Sequence, residues 1–371
     1  MTNIPLPNHS EAKLRLLEAY LDRYLRAITL SGRTEEIFLV DLFCGPGMYA
    51  GEKPGSPVAI GRKLSALHAE YPGAPKTTFL FNDADEFNTK NAHRYLQPLA
   101  EKHTKLALHH RNLEAEDLLP ELHRLINSRQ KCKVFYFVDP FGYSQLKLSE
   151  ILGLLDNRNA ELLLFQPSSF MFRFSKKGTP EALAGLLAEL GGTTPWPESV
   201  DIMDYIRHTK LMLRKKIRQD QYVGSFTLKT EDNNVNCLFF FTSHIRGHEK
   251  MLEAKWKFNS VTGQGWHYAS PHASDDLFQG QYAQTQELEH ALTRLLNIRG
   301  YATNAEIYFE TLEHEYLPKH AREILSTWQN RGIIRVDPEP KRKGAFYLDY
   351  SHHQTDKMII RVVKVAKQGN A

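Results

Sequence analysis

The run VDLFCGPG (40–47) places a carboxylate, Asp41, at the end of an apolar stretch and follows it with Gly45 and Gly47. Glycine at such positions lets the backbone turn tightly beneath a bound group, because no Cβ blocks the approach. A dinucleotide site would need a Gly-x-Gly-x-x-Gly turn running straight into a helix to seat a pyrophosphate. Here the loop is longer, with Gly51 and Gly55 still to come before a helix opens at Ser56-Pro57. An acidic residue followed by spaced glycines suits S-adenosylmethionine, which has no phosphate and carries a positive sulfonium. Asp41, Phe43, Gly45 and Gly47 are the expected contacts from this segment; the alternative is a tight turn that holds no ligand.

A second group of candidates is VDPFG (138–142), which presents the carboxylate of Asp139, the carbonyl of Pro140 and the ring of Phe141 on one turn. Amino methyltransferases use a similar [DN]PP[FY] turn, whose oxygens accept hydrogen bonds from an amine while the ring stacks on an extruded base. This chain lacks the second proline, and its aromatic residue comes one place early. The opening also resembles that of cytosine-5 methyltransferases, but their nucleophilic cysteine follows a proline. None of Cys44, Cys132 and Cys237 does, which excludes that mechanism. Ser168-Ser169 lacks a hydrolase nucleophile elbow. At two further strand ends, Asp83 is the candidate for the ribose hydroxyls, with Asp85 competing. Asn112 is the candidate for the adenine edge, unless it only caps a turn.

These residues need a scaffold, and the pattern supplies one. Short, nearly continuous apolar runs at 36–43, 77–83, 106–112, 133–139 and 160–166 alternate with helical patterns, as strands covered on both faces do. An opening helix carries Leu14, Leu17, Leu21 and Leu25, with Ser10 as its expected N-cap. After a helical insertion at about 171–222, SFTLKT (225–230) and VNCLFFFTS (235–243) form a hairpin around EDNN. The expectation is an α/β fold: the seven-stranded, Rossmann-like sheet of class I methyltransferases, over residues 1–270. A Gly/Ser/Asp-rich stretch follows. Helices from Ala283 to Asn297, after a cap at Asn304, and over Pro318–Asn330 then precede two strands, GIIRVD and GAFYLDY, around PEPKRKG. That order predicts a C-terminal winged-helix domain at 281–350, with a basic tail at 351–371.

The segments VDLFCGPGMYAGEKPGSP (40–57), VDPFG (138–142) and LFFFTSHIRGHEKMLEAKW (238–256), with the winged-helix tail, resemble the three-Cys-motif partner (TcmP) family. The resemblance spans most of the chain, with 171–220 the least matched. It implies a methyltransferase-like fold and a separate partner protein carrying clustered cysteines and a metallocluster.

A winged helix that binds DNA sets its third helix in the major groove and its wing on the backbone. Lys319, His320 and Arg322 early in that helix, and Lys341, Arg342 and Lys343 at the wing tip, are placed to meet phosphates of DNA or RNA. Glu306, Glu310, Glu313 and Glu315 on the preceding helix fit protein docking instead, and the basic run 214–218 fits either a polyanion or a solvated face. A net charge of +4 over 371 residues permits a nucleic-acid partner without demanding one. The hydrophobic share of 42% and charged share of 24% are those of a soluble protein, and no run approaches the roughly 20 apolar residues of a membrane span. The separated cysteines give no metal signature and fit the cytoplasm. The expected function is methyl transfer from S-adenosylmethionine to nucleic acid, at an exocyclic amino group. The alternative is a non-catalytic, cofactor-binding adaptor working with a three-Cys-motif partner.

Overall fold

The computed structural model describes residues 8–127, 129, 131–140, 147–176, 181–191, 199, 201–267, 283–339 and 344–363. The chain divides into two compact units, one of Met1–Lys250 with Gln264–Pro271, the other of Met251–Gly263 with His272–Ala371.

The first unit begins with α1 (Asn8–Ser31) and then alternates strand and helix: β1 (Glu36–Asp41), α2 (Ser56–Glu70), β2 (Lys76–Asn82), α3 (Glu86–Ala100), β3 (Leu106–Arg111), α4 (Ala115–Asn127), β4 (Cys132–Val138), α5 (Leu148–Gly153) and β5 (Ala160–Gln166). Next come α6 (Ser168–Lys176), α7 (Glu181–Gly191) and α8 (Ile202–Lys216). The hairpin β6 (Tyr222–Lys229) and β7 (Val235–Thr242) is followed by α9 (Ile245–Phe258), whose residues from Met251 onward belong to the second unit, and by β8 (Gly265–His267) of the first. The strands form one sheet in the order β3-β2-β1-β4-β5-β7-β6-β8. Strands β1 to β5 are parallel, and β7 is antiparallel to both β5 and β6. This is the Rossmann-like methyltransferase sheet expected from the apolar runs, with one correction. An eighth strand, β8, pairs parallel to β6 through Trp266 opposite Leu228. Its three residues lie in a Gly-rich stretch and carry no period.

The apolar runs reflect burial on both faces. Phe38, Val40, Val134, Tyr136, Leu162, Leu164, Phe239 and Phe241 form one core with Leu118, Leu122, Ile151, Tyr205 and Leu213 from the helices. The alternate residues face α1, whose Tyr20 ring lies 5.7 Å from Phe135 and 4.8 Å from Phe240. At about 25 cal/mol per Å² of apolar surface, this two-sided burial is the main force closing the unit.

The second unit contains α10 (Gln286–Arg299), β9 (Tyr301–Thr303), α11 (Asn304–Glu313), α12 (Pro318–Asn330), β10 (Ile334–Asp337) and β11 (Ile359–Val362), with sheet order β10-β11-β9. The cap of α11 is Thr303 rather than Asn304: its hydroxyl accepts from the Glu306 amide at 3.3 Å, while Glu306 Oε2 accepts from the Thr303 amide at 2.8 Å. Segment 344–350 is not the second strand of a wing. The partner of β10 is β11, with Ile334 opposite Val362. Phe346 and Leu348 insert as fully buried plugs, and the buried Asn304 amide donates to the Tyr347, His352 and Thr355 carbonyls, which holds this segment irregular. Lys341, Arg342 and Lys343 lie outside the described residues. No helix among the described residues is long and apolar enough to cross a membrane.

Candidate functional site

In β1 the Asp41 register partners are Phe81 of β2 and Phe137 of β4, so Asp83 and Asp139 each come two residues further along the chain, one past the end of the flanking strand. Side chains alternate along a strand, so the spacing of two turns all three carboxylates toward the α1 side, at the carboxyl edge of the sheet. Ligands of open α/β sheets bind at this edge.

Asp41 is fully buried, and both of its carboxylate oxygens lack a hydrogen-bond partner. The Ser56 hydroxyl and the Phe43 amide lie near enough to favour its charged form, but neither reaches it with normal hydrogen-bond geometry. Burial raises the carboxyl from 3.8 to about 7, and the Asp139 and Asp83 charges add to the effect. Leaving such a group unmet costs roughly 1–3 kcal/mol, more when it is charged.

Asp83 is committed differently. Its Oδ2 accepts from the Gly45 amide at 2.9 Å, and its Oδ1 accepts from the Asp85 amide at 3.0 Å and from Asn88 Nδ2 at 3.1 Å. The carboxylate expected on a ribose therefore also ties down the glycine loop, with about one of its four acceptor positions left over. Exposed Asp85 caps α3 by accepting from the Phe87 amide. Asn112 donates to the Asp83 carbonyl and to Thr89 Oγ1, an arrangement that braces the β2 and β3 ends. Asn82 braces them too, donating to the Leu42 and Leu113 carbonyls and accepting from the Leu113 amide. Exposed Phe87 and Leu113 at the same edge offer apolar surface that the strand-end reading of the sequence passes over.

The glycine loop fits closely. Gly47 has φ +75°, and a Cβ there would stand 2.7 Å from the Ala92 Cα, which no side chain tolerates. The Gly55 amide closes the loop by donating to the Gly47 carbonyl at 2.7 Å. Half-buried Tyr49 crosses above it, and burial together with the Asp139, Asp41 and Asp83 charges pushes its phenol up to about 12. Phe43 packs against the main core. Burial beside Asp41 and Asp83 raises the Cys44 thiol far above the ordinary range, so it remains a neutral wall of the site.

Asp139 is met by a group that no strand-end motif indicates. Lys13 of α1 is buried, forms an ion pair with Asp139 Oδ2, and lies 4.3 Å from the centre of the Phe165 ring. Asp139 Oδ1 has no partner among the described residues. The signal for Lys13 is its spacing: with Leu17, Tyr20 and Tyr24 it forms one inward stripe of α1. Half-buried Pro140 follows Asp139, and Phe141 lies outside the described residues.

The second unit divides the expected cationic contacts. Lys319 is exposed, while the Arg322 guanidinium donates to the Leu348 carbonyl. His320 is buried, 4.2 Å from the Trp256 ring centre, and burial beside Lys319 lowers its pKa to about 4. It belongs to the core of this unit. No cluster of three or more metal-ligating side chains occurs among the described residues.

No family model matches the chain, and no curated protein is similar to it in sequence. Among solved structures, an O-methyltransferase from Bacillus cereus in complex with S-adenosylhomocysteine is similar at 9% identity and TM-score 0.34, covering 61% of this chain and 80% of its own. An O-methyltransferase of tomaymycin synthesis from Streptomyces achromogenes, in complex with S-adenosylmethionine, is similar at 12% identity and TM-score 0.31, covering 64% and 92%. A magnesium protoporphyrin IX methyltransferase from Synechocystis, with S-adenosylhomocysteine bound, is similar at 11% identity and TM-score 0.30, covering 61% and 83%. The fold assignment rests on strand order and direction, and these distant likenesses add no argument about this chain's chemistry.

Proposed function

We propose that the chain is an S-adenosylmethionine-dependent methyltransferase acting on nucleic acid, at an exocyclic amino group. The observation that carries this reading is the buried Asp41 carboxylate, both of whose oxygens lack a hydrogen-bond partner, beside a glycine loop in which Gly47 admits no Cβ. A ligand bearing an ammonium and a sulfonium satisfies both needs of that site: hydrogen bonds for Asp41, and positive charge among three carboxylates. Asp41, Phe43, Gly45 and Gly47 would hold its amino-acid end, Asp83 and Asn112 its nucleoside end, and Phe87 and Leu113 would flank the base. When bound, the cofactor supplies an electrophilic methyl group.

Asp139 and the Pro140 carbonyl would face the acceptor amine. Asp139 Oδ1 would accept a hydrogen bond from it, aim its lone pair and take up the proton it sheds. Lys13 holds the other oxygen, which fixes the carboxylate without removing that acceptor. Phe141 would stack on the acceptor base. The helix–strand–helix–helix–strand–strand order of the second unit suits a winged helix, with Lys319, Lys341, Arg342 and Lys343 on phosphates and Arg322, which donates to the Leu348 carbonyl, bracing the segment behind them.

The experiment is transfer of a radiolabelled methyl group to single-stranded DNA or RNA. Wild type should label, and Asp139→Ala should not, while still binding the cofactor. Full activity in Asp139→Ala would remove Asp139 from the acceptor site. A second reading is a non-catalytic, cofactor-binding adaptor for a three-Cys-motif protein, favoured by the commitment of Asp139 to Lys13. Absence of labelling by wild type with such a partner present would select it.

A further inference from the structure

A second recess opens at the same edge of the sheet, where the β6–β7 turn meets the start of α6. Its volume is about 250 Å³, and it is lined by Ser169, Phe170, Arg173, Thr230, Asp232, Asn234 and Asn236. The frame is well tied. Ser169 Oγ accepts from the Val235 amide at 2.7 Å, and the Thr230 amide donates to the Asn234 carbonyl at 2.8 Å. The groups facing the recess are not tied. The Thr230 hydroxyl is buried without a partner. The Asn236 carboxamide and the Asp232 carboxylate make no side-chain hydrogen bond or ion pair among the described residues. Arg173 reaches the Ser169 carbonyl and Asn234 Oδ1 only at 3.4 Å each, at the weak end of hydrogen bonding.

Buried polar groups are normally satisfied, and the Thr230 hydroxyl left unmet beside a cavity calls for an occupant. Half-buried Asn236 and exposed Asp232 beside it define its chemistry. A carboxamide matches a donor–acceptor pair on a ring edge, a carboxylate accepts from an exocyclic amine, and Phe170 supplies a flat apolar wall. The guanidinium of Arg173 at the mouth suits a phosphate. The volume lies below the roughly 300–1,000 Å³ typical of pockets for drug-sized ligands, so one base fits and an oligonucleotide does not. The recess is two strands from Asp139, or about 10 Å at the usual strand spacing. That is too far for the base receiving the methyl group and suits its neighbour.

We propose that this recess is a subsite for one amino-bearing nucleobase next to the methylated one, recognised by Asn236 and Asp232. The assignment to a neighbouring nucleotide rests on the function proposed above; binding of a base in the recess does not.

The test uses the full chain labelled with ¹⁵N in asparagine side chains, titrated with cytidine 5′-monophosphate, which keeps adenine out of the experiment. The Asn236 and Asn234 side-chain amide signals should shift in a saturable way. Uridine 5′-monophosphate, with a carbonyl in place of the amine, should bind about tenfold more weakly. Asn236→Ala should weaken cytidine binding about tenfold, and Asp232→Asn, an exposed turn residue whose replacement leaves the fold intact, should erase the preference over uridine. Absence of shifts at millimolar nucleotide, or equal binding by wild type and Asn236→Ala, overturns the subsite. Calorimetry with S-adenosylmethionine on the same samples separates the two ideas. Cofactor binding without nucleotide shifts removes the subsite alone, and nucleotide shifts without cofactor binding remove the proposed function and the neighbour assignment while leaving the base site standing.

Discussion

Two carboxylates lie fully buried near opposite edges of the sheet, Asp41 at the end of β1 and Glu161 near the start of β5, and burial raises each to about 7. Their surroundings differ. Glu161 accepts hydrogen bonds from Tyr20 and, at 2.8 Å, from Thr242 Oγ1, and it is packed so closely that a Cβ on Gly247 would collide with its Oε1. Asp41 is as deeply buried, and the nearby Ser56 hydroxyl and Phe43 amide do not reach it with normal hydrogen-bond geometry. A perturbed carboxyl is therefore no marker of a site by itself, since a structural network produces the same shift. Unmet hydrogen-bonding capacity separates the two, and it lies at the carboxyl edge.

The difference predicts opposite responses to mutation. The largest effect belongs to Glu161→Ala, which empties a packed position and strands the Tyr20 and Thr242 hydroxyls. Chemical denaturation should show a loss of about 3–5 kcal/mol. Little or no loss would mean that Glu161 is as unsupported as Asp41.

Asp41→Asn should act in the other direction. Between pH 3.8 and about 7 the folded state holds a proton that the unfolded state has released, so wild-type stability falls as pH rises through that window and levels off above it. Removing the charge should raise the unfolding free energy at pH 8 by on the order of 2–4 kcal/mol, and the gain should shrink toward pH 4. A stability difference independent of pH would show that Asp41 carries no buried charge.

Lys13→Met should have the smallest effect, about 1–2 kcal/mol of destabilisation, because solvent reaches Asp139 and screens the pair. It should also strengthen binding of a cationic ligand severalfold by leaving the carboxylates less neutralised, an effect readable by calorimetry at low salt. Weaker binding would place Lys13 in contact with the ligand.

Much of this was legible in the sequence, for physical reasons. Strands buried on both faces must be apolar throughout, so β1 to β5 stand out, and their ends mark Asp41, Asp83 and Asp139. The strand β8 was hidden because three residues show no period. In the second unit, GAFYLDY alternates like a strand because Phe346 and Leu348 point inward as plugs, while the true strand Ile359–Val362 sits in what reads as a tail. Beyond its spacing, Lys13 gives no signal of its role in the sequence because its partner is 126 residues away and lysine on a helix usually faces water. The engagement of Asp83 and Asn112 with their own loops depends on backbone donors that no side-chain pattern encodes.

The most direct measurement is a calorimetric titration of S-adenosylmethionine into wild type and Asp41→Asn at pH 8, with folding of both verified by denaturation. The account predicts one site per wild-type chain and at least tenfold weaker binding by the variant, about 1.4 kcal/mol, even though the variant is the more stable protein. Absence of binding to folded wild type, or equal affinity in the two proteins, would contradict it.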